Sequence, residues 1–277
     1  MTDLALKAEH LKLARLLDCA QTAVAGLEGL DVAALRKLRG ACTSMLFDGD
    51  RGSLQRVVTV ARLLPAGINA IIAEKAMGPV LGSRVAGMLP PKDAVEIARR
   101  VPLQFNVEVT LLLDPRSAAP MLRVMPLDLV VAVTREMVKR REYIVMARFV
   151  DALTDEQIRA CMEAMDDEAM LQSGFFVESP RRLEEVVELM SDARMRDVVG
   201  QAARPELDLG GPVMALMSSV GPRLRRRMIE AAMLHPDTHV GEYLVASARS
   251  HELMPMLQAH AAELCEPAAR RFAALTG

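Results

Sequence analysis

Apolar side chains recur along the middle of the chain in short, evenly spaced blocks. After Ser179 they stand at Leu183, Val186, Val187 and Met190. After Asp114 they stand at Ala118, Met121, Leu122 and Met125, and after Thr154 at Ile158, Cys161, Met162 and Met165. Each set lies 4, 7, 8 and 11 residues past the residue that opens the block. That is the one-sided stripe of an amphipathic helix.

The opening residues are themselves periodic. Ser53, Pro65, Gly78, Pro90, Pro102, Asp114 and Pro126 follow one another at 12 or 13 residues, and so do Thr154, Asp166, Ser179 and Ser191. Between the two series the period slips, around Lys139 to Glu142. Proline stops the preceding helix, while Asp114-Pro115 and Ser179-Pro180 put a cap before a proline suited to the first helical turn. Thr154 with Gln157 three residues on is a capping box. Helices of about ten residues are marginal alone and must stack on their neighbours.

These observations predict an all-α fold: a right-handed superhelix, or solenoid, of half-repeats of about 12 residues, with longer flanking helices. Three segments follow: an N-terminal helical cap over 1–52, the short-helix repeat over 53–203 and a C-terminal cap over 204–277, in one continuous structure. The N-terminal cap reads as two helices, Asp3 to Val24 and Asp31 to Phe47, with a turn at Gly26 to Gly29 and a loop over residues 48–52. One segment conflicts with the rest. Residues 103–113, LQFNVEVTLLL, begin with strand-like alternation, but their start falls on the repeat register and they are predicted helical.

Composition adds to this picture. The core is aliphatic, with 51% hydrophobic residues, 3% aromatic, no Trp and 19 Met; Leu, Ala and Met favour helices. Arg far outnumbers Lys, the usage of a GC-rich bacterial genome. A net charge of -2 provides no field to attract nucleic acid or acidic membranes. The four cysteines, Cys19, Cys42, Cys161 and Cys265, form no C-x-x-C pair, against a structural zinc site or a disulfide framework. Charges at Asp3, Lys7, Glu9, Lys12 and Arg15 interrupt any signal-peptide core, and the uncharged run from Leu209 to Pro222 is too short to span a bilayer. The expected location is cytoplasmic, with no transmembrane segment.

One phrase resembles a known family. Met88-Leu89-Pro90-Pro91-Lys92-Asp93-Ala94-Val95-Glu96-Ile97 is similar to the LPP-x-D-A phrase of the cytoplasmic N-terminal domain of MgtE-type magnesium transporters. Over residues 53–203 the spacing also resembles that domain and the middle region of the flagellar switch protein FliG. The resemblance implies a superhelix of short helices and a protein-contacting role. It does not imply magnesium sensing, because this stretch lacks the transporter domain's acidity.

Candidate chemistry is sparse. His235, His239 and Glu242 offer metal ligands, but Pro236 between the histidines reads as a turn with an Asp cap. Asp166-Asp167-Glu168 offers carboxylates for magnesium, or simply acidic residues at a helix start. Arg223, Arg225 and Arg226, in an arginine run spread around a helix, offer a phosphate or acidic-partner site or a solvated face. Asn69 and Asn106, the only asparagines, fall four residues past repeat starts in inward slots. They either bond a neighbouring helix end or anchor a polar group in an apolar pocket. Phe105, beside Asn106, and Phe175-Phe176 offer apolar walls for such a site, as does the Met-rich core. No catalytic motif stands out. The expected function is therefore a non-catalytic scaffold that binds a protein partner through its concave surface, with no cofactor, metal or nucleic acid. The alternative is a carrier or sensor enclosing an apolar small molecule or lipid.

Overall fold

The computed structural model describes residues 2–49 and 51–277, with side chains described from Leu4 onward. Its α-helices are α1 (Thr2–Leu16), α2 (Val32–Asp48), α3 (Arg51–Ala61), α4 (Ala66–Ile72), α5 (Gly78–Ala86), α6 (Pro91–Ala98), α7 (Leu103–Leu112), α8 (Pro115–Leu122), α9 (Leu127–Lys139) and α10 (Tyr143–Phe149). They continue as α11 (Asp155–Ala164), α12 (Asp167–Phe176), α13 (Pro180–Glu188), α14 (Asp192–Ala202), α15 (Gly210–Ser219), α16 (Pro222–Met233), α17 (His239–Ser250), α18 (Met254–Gln258) and α19 (Glu266–Thr276). No strand occurs among the described residues, so the all-α class holds, and residues 103–112 are helical despite their alternating start.

The periodic starts become helix caps. Pro65, Pro90, Pro102 and Pro126 sit just before α4, α6, α7 and α9, with φ between -52° and -59° and ψ between 137° and 147°. Their carbonyls then accept the first intrahelical bonds, from Asn69, Ala94, Asn106 and Val130. Asp114, Asp166, Ser179 and Ser191 each accept a backbone N–H of the following turn. The Thr154 capping box forms in both directions, at 3.0 and 3.2 Å. Gly78 opens α5 at a φ of 69°, a conformation that glycine adopts without a Cβ penalty. A π turn, Ala73–Met77, joins α4 to it.

Three boundaries depart from the sequence pattern. The first helix ends at Leu16, and Gln21–Leu27 is a 3-10 turn. Asp18 takes the left-handed conformation, and Cys19 and Asp18 donate back to the carbonyls of Ala14 and Arg15, a Schellman ending built without glycine. Arg141 and Glu142 close α9 in the same way, which is the origin of the slip in the period. The loop expected over residues 48–52 is shorter than that: α2 runs through Asp48 and α3 begins at Arg51, two residues before the expected Ser53. Gly49 keeps helical dihedrals, and Asp48 pairs with Arg51 at 4.0 Å. Asp50, part of that expected loop, and Met1 lie outside the described residues.

The chain forms two compact units, Lys12–Ala164 and the residues up to Leu11 together with Met165–Gly277. In the first, each short helix packs on the next but one: α3 on α5, α5 on α7, α7 on α9 and α9 on α11, with α4 on α6, α6 on α8 and α8 on α10. This is the solenoid rule of neighbours covering neighbours. Its core gathers Val95, Val107, Leu113, Met121, Met137, Val145 and Phe149. In the second unit α12 packs on α14, α14 on α16 and α16 on α19, while α15 packs on α12, α13 and α17. Met214, Met217, Ile229, Met233 and Leu257 are fully buried there. Many methionines are thus core filler in this unit.

Short helices leave many carbonyl ends, four per helix. Long polar side chains reach across to them. Gln157 donates to Leu122 and Met125 at 2.7 and 3.0 Å, Arg194 to Met165 at 3.0 Å, and Arg271 to Met233 and His235 at 2.7 and 3.0 Å. Each such bond contributes about 1 kcal/mol, and about 1.5–3 where the donor is charged.

Candidate binding groove

In the second unit, α14 and α16 pack side by side and border a groove of about 550 Å³. Its α16 wall is Arg223, Arg226, Arg227 and Glu230, spaced i, i+3, i+4 and i+7, which places all four on one helical face. Three members of the arginine run thus share one face, while Arg225, between them in sequence, points elsewhere. Asp192, Met195 and Arg196 face them from α14, and Leu224, Ala231 and Leu234 supply apolar surface.

The four arginines are not equivalent. Arg223 pairs with Glu188. Arg227 pairs with Asp192 at 2.6 Å and donates to the Met190 carbonyl at 2.6 Å. Glu230 accepts the backbone N–H of Cys265 at 2.9 Å. Arg196 and Arg226 have no hydrogen-bond or ion-pair partner among the described residues. Two guanidinium groups thus stand ready beside an apolar lining, an arrangement that accepts a carboxylate or phosphate together with an aliphatic group.

The other expected site residues lie elsewhere. Arg225 turns away from the groove and donates to the carbonyls of Met217 and Val220, both at 2.8 Å. Asn69 makes the same pattern with Ala61 and Leu64 at 2.7 and 3.2 Å, and Asn106 with Ala98 at 2.8 Å. All three stand four residues past a helix start and reach the carbonyl eight residues upstream. Both asparagines therefore bond the end of a preceding helix. Phe105 packs near Gly82, where a Cβ would stand 3.4 Å from its ring. Phe176 is buried and meets Phe175 edge-on at 4.9 Å. The arginine run pointed to Arg223, Arg226 and Arg227 but not to Asp192, Met195, Arg196, Glu230 or Leu234. The available signal was the i, i+3, i+4 spacing of Arg223, Arg226 and Arg227.

No group of three or more His, Cys, Asp or Glu arranged to hold a metal occurs among the described residues. Asp237 accepts the His239 N–H at 2.9 Å, and its own N–H donates to His235 Nδ1 at 3.1 Å, forming a turn between α16 and α17. Asp166 caps α12, and Asp167 pairs with Arg194 at 2.9 Å. Burial raises the Asp167 pKa from its ordinary value, with Arg194 pulling it back. Burial also raises that of the Cys161 thiol, opposed by its contact with Thr134 at 3.3 Å. No described helix is long and apolar enough to cross a membrane. Comparison with protein-family models, characterised proteins and solved structures finds no match.

Proposed function

We propose that the protein is a non-catalytic helical-repeat scaffold, and that the groove of α14 and α16 receives an acidic, aliphatic segment of a protein partner. The observation that carries this reading is the pair Arg196 and Arg226, unpaired beside Met195, Leu224 and Leu234. A groove of mixed polarity supports a peptide site better than it supports a carrier of apolar molecules, which needs a dry enclosure. Short helices packed next-but-one also agree with the likeness to the MgtE and FliG domains, and kinship of fold with them is part of this proposal.

The test is a peptide array of Glu- and Leu-containing segments probed with the full chain. Acidic aliphatic peptides are retained, and the double variant Arg196→Ala/Arg226→Ala loses about tenfold or more in affinity, as expected for desolvated charge pairs. Retention that is indifferent to this variant, or no retention, overturns the reading. Native mass spectrometry of the purified chain checks the carrier alternative: a bound mass of lipid size would favour it.

A further inference from the structure

A second surface lies in the other unit, at α3, α4, the π turn and α5. There the chain exposes Leu63 at 81%, Ile71 at 62%, Val60 at 56%, Val80 at 56% and Ile68 at 47%. Single exposed apolar residues are ordinary, but a concentration of them on consecutive packed elements marks an interaction surface. The repeat shows how anomalous this one is. Six residues past their helix starts, other repeats carry Glu96, Glu108, Glu185 and Asp197, whereas this one carries Ile71.

The packing accounts for what is uncovered. The principal neighbours of α3 and α4 are α5, the π turn and α6, all later in the chain. The helix before them, α2, buries only Leu35. In a solenoid the first repeat needs a polar outer face or a cover, and the cover of a helix layer is another helix.

Charge selects the cover. Residues 51–84 carry five basic side chains and one acidic, Glu74, which is already paired with Lys75 at 2.6 Å. Arg56 stands one turn from Val60 on the same face, and Arg62 adjoins Leu63; both are exposed and without a partner among the described residues. A second copy offering the same face would set like charges against each other. Beyond Leu127 the described residues of a second copy expose one large hydrophobic, Leu234, so that part of the chain offers no apolar match. A membrane surface is disfavoured because residues 51–84 contain no aromatic residue to anchor at an interface.

We infer that the α3–α5 edge docks an amphipathic helix of another protein, aliphatic on one face and flanked by carboxylates. This surface is separate from the α14–α16 groove and does not depend on the reading of that groove.

The test uses the full chain and two labelled peptides of about 20 residues that form amphipathic helices with the same Leu face, one flanked by Glu and one by Lys. Fluorescence anisotropy is expected to show the Glu peptide binding at least about tenfold tighter, with Leu63→Glu and Ile71→Glu each weakening it about tenfold or more. Both positions are exposed, so circular dichroism is expected to show these variants folded. Arg196→Ala/Arg226→Ala is expected to leave this binding within about twofold, which separates it from the groove. The inference is overturned by equal binding of the two peptides, by no binding, or by loss only in the groove variant. Concentration-dependent self-association abolished by Ile71→Glu would assign the edge to a second copy. Pelleting with phosphatidylserine–phosphatidylcholine vesicles, without peptide binding, would assign it to lipid.

Discussion

At the start of the short-helix repeat, α3, α4 and the turn between them leave Val60, Leu63 and Ile71 in solvent. At the other end of the chain, α16, α17 and α19 pack on one another, and Leu224, Ile229, Leu244 and Phe272 are buried. There Arg271 also binds the closing carbonyls of α16. Both regions are built from helices of 7 to 12 residues. They differ in what lies against the outermost stripe. The C-terminal helices close on themselves, while the α3–α5 edge keeps aliphatic stripes and unpaired arginines facing outward. A repeat fold that tolerates an uncovered, basic, aliphatic edge has a place for another helix.

The largest effects are expected where the comparison is sharpest. Ile229→Ala removes a fully buried side chain and is expected to cost about 2–5 kcal/mol, whereas Ile71→Ala at the open edge is expected to stay within about 0.5 kcal/mol. Urea unfolding of the two variants measures the contrast, and equal losses would mean that the edge is covered in the free chain.

Next come the side chains that close helix ends. Gln157→Leu leaves the carbonyls of Leu122 and Met125 and the Thr154 N–H without their partner, an expected loss of about 1–3 kcal/mol. Asn106→Leu gives up one bond, to Ala98, and is expected to cost less, about 1 kcal/mol, by the same measurement.

How much of this was legible in the sequence follows from how local each feature is. Pro90, Pro102, Asp114, Thr154 and Ser179 act on their own turn, so the repeat and the caps could be read directly. The ends of α1 and α9 could not, because Asp18 and Arg141 take a left-handed conformation usually signalled by glycine. α3 begins two residues before the Ser53 that the repeat register offers as its start. The groove was half legible. Arg223, Arg226 and Arg227 stood out in a run, but Glu188 and Asp192, the partners of Arg223 and Arg227, lie on other helices and come together with them only through packing. The open edge was the least legible: Ile71 departs from the charged residues of other repeats, but which stripe stays uncovered is decided only by packing.

Two smaller effects concern the second unit. Glu252 ends α17 in the left-handed conformation, with Leu253 donating back to Ala248. Glu252→Gly is expected to raise stability by about 0.5–1 kcal/mol, seen as a higher urea midpoint with unchanged slope. Asp167 gives a pH signature. Its folded pKa lies above the unfolded value, so its contribution to stability is fullest with the carboxyl protonated and is lost as pH rises through the folded pKa. Asp167→Asn is expected to flatten that decline from about pH 4 upward. A profile unchanged by the substitution would mean that the carboxyl is not desolvated.

The most direct test of the open edge is amide hydrogen exchange on the full chain with and without the Glu-flanked helical peptide. Protection confined to residues 54–81, with residues 222–234 unchanged, is the predicted result. Protection that falls on residues 222–234 instead, or is absent from residues 54–81, contradicts it.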